Sequence, residues 1–294
     1  MILRLGQQSF EIERGRPLVM GIVNASPESF SDGGRYATLD DQVARAHELV
    51  EQGAQLIDVG GESGVTGIAA IAAEEEAQRV VPLVERLAAD GVLVSVDTWK
   101  PAVARAALEA GAVLINDVSG LRDPELADAC AAAGGGLVVM HTRAEPKVKA
   151  FPDYEDVVAD VVEFVREKVA LARGRGVEDE RIVVDPGPDF AKTPAETVAV
   201  LRALDALGEL GRPILLAVSR KDFVGALTSR APREREAGTL AAIGAGVDAG
   251  AAIVRVHDVA ATVDFLTVRA ALAGETDVDP QLRLPDELRR QRAA

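Results

Sequence analysis

Ile214-Leu215-Leu216-Ala217-Val218-Ser219-Arg220-Lys221-Asp222 is the stretch on which the reading of this chain turns. Five aliphatic residues run straight into a hydroxyl, two cations and a carboxylate. An unbroken aliphatic run is the pattern of a strand buried on both faces, as in a parallel sheet. Polar groups placed just past the end of such a strand are where α/β architectures hold polar or anionic ligands. A solvated turn is the other reading of an Arg-Lys pair taken alone.

The same pattern recurs along the chain. Aliphatic runs at Leu18–Val23, Leu56–Val59, Val92–Val96, Val113–Ile115, Leu137–Met140, Ile182–Val184, Ile214–Val218 and Ile253–Val256 predict eight strands. Between them lie segments with helical signals. Thr38 and Asp41 stand at capping-box spacing, and Gly53 supplies a stop. Pro101 suits a first helical position, and Asp123-Pro124 opens another helix. Val158, Val161, Val162, Val165 and Val169 line one face of a helix over 156–173, and Thr193 with Glu196 repeats the capping box. Further helices are expected near 236–249 and 259–273. Residues 1–16 read as a β-hairpin turning at Gly6-Gln7-Gln8. Eight βα units of this length predict one α/β domain over 1–294: a TIM (β/α)8 barrel over about 17–273, with a short N-terminal hairpin and a charged tail over 275–294. A doubly wound open sheet is the alternative, but Asn24-Ala25-Ser26-Pro27 is not the glycine-rich turn that usually follows its first strand.

Composition narrows the function. Apolar residues make up 48% of the 294, enough for a large core, and aromatics only 3%, so aliphatic side chains must fill it. The net charge of -15 argues against general nucleic-acid binding, which needs basic residues to neutralise phosphates. A single cysteine, Cys130, rules out a disulfide within the chain and reads as a buried structural thiol. The N-terminus lacks the apolar core of a signal peptide, and no apolar run has the length of a membrane span; a soluble cytoplasmic protein is expected, with no membrane partner.

If the barrel forms, its strand ends converge. They carry Asn24, Asp58, Asp97, Asn116-Asp117, His141, Asp185, Ser219-Arg220-Lys221 and Arg255-Val256-His257. Each has a structural reading: Asp97 and Asp185 as helix N-caps, Asn116 in a turn, His141 as a satisfied core-edge histidine, Arg255 paired with a rim carboxylate. Taken together they suit chemistry. Asp97, Asn116 and Asp185 suit a flat heterocycle with amino and ring N–H donors, because buried polar groups need fixed partners. Lys221, Arg255 and His257 suit a phosphate or pyrophosphate. Asn24 offers an oxygen to Mg²⁺, which takes few protein ligands besides substrate phosphates.

These segments resemble the dihydropteroate synthase family from about Leu18 to Leu272. Gly21-Ile22-Val23-Asn24-Ala25-Ser26-Pro27-Glu28-Ser29-Phe30-Ser31-Asp32-Gly33-Gly34 is similar to its first signature, and Asp58-Val59-Gly60-Gly61-Glu62-Ser63 to the start of its second. Ser95-Val96-Asp97-Thr98, Ile115-Asn116-Asp117-Val118-Ser119-Gly120, Met140-His141, Asp185-Pro186-Gly187, Ser219-Arg220-Lys221 and Arg255-Val256-His257 follow in the family's order. The resemblance implies a transferase of folate biosynthesis that joins a dihydropterin pyrophosphate to p-aminobenzoate and releases pyrophosphate. By motif, Asp97, Asn116, Asp185 and Lys221 would hold the pterin, and Asn24, Arg255 and His257 the pyrophosphate with Mg²⁺. Phe30 and Asp32 would lie on a mobile first loop. The catalytic set would be Asp97, Asp185, Lys221 and Asp32, with Phe190 and Asp222 also beside the substrates. A homodimer is expected by resemblance.

Three departures bear on the acceptor. Where the family usually reads Glu-Ser-Thr-Arg-Pro-Gly, this chain reads Glu62-Ser63-Gly64-Val65-Thr66-Gly67. Pro188-Asp189 replace a small pair before Phe190, and Asp222 stands where Ser or Arg usually follows Ser-Arg-Lys. All three remove a donor or positive charge, or add a negative one, near an anionic acceptor, unless Asp189 and Asp222 point outward or cap helices. A divergent paralogue with another acceptor or water, or a non-catalytic pterin-binding protein, is the alternative; a methyltetrahydrofolate-dependent methyl-transfer domain would not need the pyrophosphate set.

Overall fold

The computed structural model describes residues 1–25, 38–64 and 66–289. Strands β1 (Ile2–Leu5) and β2 (Gln8–Glu11) pair antiparallel. Eight parallel strands follow: β3 (Leu18–Asn24), β4 (Leu56–Gly60), β5 (Val94–Asp97), β6 (Leu114–Asp117), β7 (Gly136–Met140), β8 (Ile182–Asp185), β9 (Leu215–Leu216) and β10 (Ile253–Val256). Their order is β8-β7-β6-β5-β4-β3-β10-β9. A parallel bridge from Val184 to Ile214 joins β8 to β9 and closes the ring. This is the expected TIM barrel with its N-terminal hairpin.

The helices are α1 (Leu39–Glu51), α2 (Ala73–Ala89), α3 (Pro101–Glu109), α4 (Glu125–Ala133), α5 (Val157–Gly174), α6 (Pro194–Arg202), α7 (Leu204–Gly208), α8 (Asp222–Thr228), α9 (Glu236–Asp248) and α10 (Val259–Leu272). Both capping boxes form: Thr38 with Asp41 opens α1 and Thr193 with Glu196 opens α6. Pro101 takes the first position of α3, where its missing N–H is harmless. Cys130 is fully buried on α4, and burial pushes its thiol up to about 12.

Two packing layers explain where chemistry can sit. The outward faces of the strands pack under the helices in one continuous aliphatic core. Inside the ring, the lower floor is Met20, Leu56, Leu114, Val138, Val183, Leu215 and Ile253, closed from beneath by Leu3 and Leu5 of the hairpin. Side chains two residues further along a strand share its face. The next inward positions are therefore Ile22, Asp58, Asn116, Met140, Asp185, Ala217 and Arg255, with Ser95 and Asp97 on β5. The floor is apolar and the polar groups enter only in the layer above it, so they face the mouth.

Two elements differ from their expected form. The strand expected over Ile214–Val218 is regular only at Leu215–Leu216, because Pro213 has no N–H before it and the chain turns tightly after it. The Lys221 N–H donates back to the Val218 carbonyl, with Arg220 at φ 59. The short α8 then intervenes before the helix expected near 236–249.

Candidate active site

The centre of the upper storey is an ionic triad. Asp58, fully buried on β4, accepts from Arg255 Nε at 2.6 Å and from Asn116 Nδ2 at 3.1 Å through Oδ2. The same guanidinium donates from Nη2 to Asp97 Oδ2 at 3.0 Å. Arg255 therefore links β4, β5 and β10, which is its rim-carboxylate reading; Asp97 and Asp185 are not helix caps. The Asp185 Oδ1 instead accepts from Gly187 N at 2.6 Å, holding the loop after β8. Asp58 Oδ1 and Ser95 Oγ are buried and have no protein hydrogen-bond partner among the described residues. That leaves hydrogen-bonding capacity beneath the mouth for a ligand's N–H groups.

Burial sets the charge states. It pushes Asp97 up to about 7 despite the pull of Arg255, with Asp58 and Glu76 adding to the rise. It pushes Asp185 up to about 6, opposed by the Gly187 N–H and Lys221. Burial lowers Lys221, while Asp189 and Asp185 oppose it, and its ammonium lies 4.2 Å from the centre of the Phe190 ring. Arg255 is held above its ordinary value because Asp58 and Asp97 outweigh its own desolvation. His257 falls to about 3 through burial and then Arg220, Arg255 and Lys221. It is neutral at pH 7. Its backbone N–H donates to Ser219 Oγ at 3.3 Å, and that hydroxyl lies 2.9 Å from Nδ1. With the Ser219 hydroxyl donating to Nδ1, the ring carries its proton on Nε2, where it can serve as a donor. His257 is suited to an anion as a neutral donor rather than as a cation.

The expected residues fall into three groups. Asp97, Asn116 and Arg255 are linked through Asp58, Asp185 holds Gly187 just past the end of β8, Lys221 lies over Phe190, and His257 is beside Ser219. Asn24 ends β3 next to Gly60, where a Cβ would lie 3.7 Å from the Asn24 Oδ1. Phe30, Asp32 and Val65 lie outside the described residues. Asp222 is 70% exposed and faces Arg235 Nη1 at 3.1 Å and Lys149 Nζ at 3.8 Å. Asp189 accepts from the Phe223 N–H at 3.1 Å and from Thr197 Oγ1 at 3.2 Å. It ties the loop after β8 to α8 and α6. Neither carboxylate is left as a bare negative charge. Asp222→Ser should therefore leave the Michaelis constant for the acceptor that the resemblance implies, p-aminobenzoate, within about two-fold, because exposed ion pairs carry little energy. A fall of ten-fold in steady-state assays would place Asp222 against the acceptor instead.

Sequence reasoning passed over several buried groups. Asp58 was visible only as one strand-end carboxylate, not as the partner of Arg255. Lys100 Nζ sits 2.6 Å from both Glu62 Oε2 and Glu76 Oε2, and Lys147 Nζ lies 3.0 Å from Glu62 Oε1 and donates to the Ser63 carbonyl. Two lysines and two glutamates thus brace the loop after β4, which in this chain lacks the family's arginine. Lys192 is 1% exposed, and burial lowers its ammonium to about 7 against the pull of Asp185. No pattern around Lys192-Thr193 signals burial; the neighbouring capping box points to a surface.

A family model described as pterin binding enzyme matches residues 20–257. A dihydropteroate synthase of Bacillus subtilis is 43% identical over 246 residues, 83% of this chain and 84% of that one. Two solved structures of Xanthomonas albilineans dihydropteroate synthase superpose closely. One, with 4-aminobenzoic acid, has a TM-score of 0.85 at 45% identity, covering 92% of this chain and 98% of that one. The other, in complex with 7,8-dihydropteroate, has a TM-score of 0.83 at 44% identity, covering 93% and 99%. A likeness in sequence and shape over most of the chain, with the Asp58–Arg255–Asp97 set at the barrel mouth, leads to one assignment: this chain belongs to the dihydropteroate synthase family of pterin-binding enzymes.

Proposed function

We propose that this chain is a dihydropteroate synthase: it condenses 6-hydroxymethyl-7,8-dihydropterin pyrophosphate with p-aminobenzoate and releases pyrophosphate, in folate biosynthesis. The observation that carries the reading is the linked set Asp58–Arg255–Asp97 with Asn116, Asp185 and Lys221 above an apolar floor. Carboxylates and an amide there can receive the N–H groups of a pterin. The cations and the His257 Nε2–H can receive an anion. The solved relatives with 4-aminobenzoic acid and 7,8-dihydropteroate support the two substrates.

In the reaction, the bond from the exocyclic methylene carbon to the pyrophosphate oxygen breaks, with its electron pair leaving on pyrophosphate. The acceptor's amine nitrogen forms the new bond to that carbon and loses a proton. Asp97 and Asp185, when ionised, favour positive charge developing on the pterin, while Lys221, Arg255 and His257 favour the leaving anion. Mg²⁺ fits as a substrate-borne partner. Asn24 offers a neutral oxygen at the mouth, and among the described residues no group of three or more His, Cys, Asp or Glu could hold a metal by itself. Asn24 would hold such an ion, and when bound it would supply added charge neutralisation to the pyrophosphate.

Among the described residues no helix is long and apolar enough to cross a membrane. A cytoplasmic homodimer is the assembly we propose with this function. One specific feature favours a second reading, a synthase-like enzyme with another acceptor. Among the described residues a Cβ at Gly64 would meet nothing within 4 Å, beside the place where the family's arginine is missing. Incubation with the pterin pyrophosphate and Mg²⁺, with and without p-aminobenzoate, separates them. Dihydropteroate formation supports the first reading. Pyrophosphate release without dihydropteroate overturns it in favour of the second, and no release overturns both.

The raised carboxyls give a pH signature. A pterin's N–H donors stabilise ionised Asp97 and Asp185, so binding lowers their pKa values and releases protons. Affinity for a dihydropterin should therefore rise as pH increases through about 6 and 7, then level off. Calorimetry in two buffers of different ionisation enthalpy at pH 6.5 should show proton release. Net uptake would mean that a protonated carboxyl donates to the ligand.

A further inference from the structure

The loop after β8 carries two contacts to the Lys221 region: the Phe190 ring lies beneath the Lys221 ammonium, and the Asp189 carboxylate receives the Phe223 N–H in the first turn of α8. This loop is not an ordinary turn. Gly187, Asp189 and Ala191 all have left-handed φ values, of 63°, 64° and 53°. At Gly187 any Cβ would run into the His141 carbonyl oxygen, so the loop already packs tightly against the end of β7. Strained backbone of this kind persists only where its surroundings hold it.

The holding group is a buried ammonium. Lys192 Nζ lies 2.9 Å from the Gly187 carbonyl, 3.1 Å from the Phe190 carbonyl and 2.6 Å from His141 Nδ1. Three acceptors match the three protons of an ammonium. The histidine is prepared for this role. Its Nε2 lies 2.8 Å from Asp160 Oδ1, and that carboxylate is gripped by Arg143 through Nε at 3.0 Å and Nη2 at 2.7 Å. Asp160 thereby fixes the His141 proton on Nε2 and leaves Nδ1 as an acceptor. Burial and Lys192 keep the ring neutral, with its pKa lowered to about 4. Tyr154 adds an O–H donated to the Ala191 carbonyl at 2.8 Å.

We propose that Lys192 is a positioning residue of the pterin site: by clamping the Gly187 and Phe190 carbonyls against His141, it fixes the loop that sets Phe190 under Lys221 and Asp189 on α8. It need not touch substrate. The proposal rests on the pterin-binding reading above, and its test is arranged so that the two fail separately. The ligand-free protein, labelled with 4-fluorophenylalanine, reports the loop directly, with the Phe190 resonance assigned by Phe190→Leu. Lys192→Met and His141→Leu should both move that resonance, and His141→Asn, whose Oδ1 takes the place of Nδ1 and can accept from the ammonium, should restore it. An unmoved resonance in a folded variant overturns the clamp whether or not a pterin binds.

Titration with 6-hydroxymethylpterin should then show Kd raised about 10-fold in Lys192→Met, with unchanged stoichiometry. The effect should largely vanish when Phe190 is already alanine, as expected for residues acting through one another. Full additivity of the two substitutions would overturn the proposal. Should Lys192→Met fail to fold, the two His141 variants decide: equal resonances and equal affinities in Leu and Asn would overturn it.

Discussion

Arg255→Met should cost the protein both stability and activity. Among the described residues the guanidinium is the one group that pairs with both Asp58 and Asp97, and Asp58 is fully buried. Removing one partner of a buried pair leaves the other charge uncompensated, which costs on the order of 3 kcal/mol. For a domain of this size, that corresponds to a melting temperature lower by roughly 5 °C. Activity should fall further, because Asp97 is already raised to about 7 with Arg255 beside it. Without that cation it moves higher, stays protonated at neutral pH and ceases to be an acceptor for a pterin N–H. A loss of at least about 100-fold in kcat/KM for the pterin pyrophosphate is expected. Adding Asp58→Asn should recover part of the melting temperature and little of the activity. If Arg255→Met melts with the native protein, the triad contributes no net stability and Asp58 has another way to satisfy its charge.

This architecture was largely legible because its strongest signals are local. Strands buried on both faces leave aliphatic runs, and helices opened by Thr38 and Thr193 leave a hydroxyl and a carboxylate three residues apart. Those rules need no knowledge of the third dimension. The polar strand ends were legible for a related reason: a closed parallel barrel brings them together whatever the loops do. What could not be read was orientation. Asp222 follows Lys221 directly, yet the turn at Arg220 sends one inward and the other to Arg235 and Lys149. Asp189 was counted as a charge near the acceptor, but its left-handed backbone directs the carboxylate to Thr197 and the Phe223 amide. Lys192 left no sign, since a buried lysine differs from an exposed one only in what the fold brings to it. His141 was open to the bland reading, and its partners Asp160 and Lys192 come from distant segments.

Lys221→Met should separate function from stability, in contrast to Arg255. Among the described residues the Lys221 ammonium makes no ion pair comparable to the Arg255 triad; it rests on the Phe190 ring, and burial lowers its pKa. A lysine whose folded pKa lies below its unfolded value favours the neutral form on folding. Below the unfolded pKa the protein must therefore hold this charge at a loss, and at pH 7 its removal should relieve that loss. Methionine keeps the length and apolar stem of the side chain, and its thioether packs well against an aromatic ring. The melting temperature should be unchanged or higher. Activity should behave oppositely. In the proposed reaction Lys221 serves both the pterin held by Asp185 and the departing pyrophosphate, and a fixed cation there acts on charge as it develops. A fall of about 100- to 1000-fold in kcat/KM for the pterin pyrophosphate is expected. Stability bought back at the expense of catalysis is the signature of a strained functional group. A lower melting temperature with activity retained would make Lys221 a structural prop for α8 rather than a ligand-facing residue.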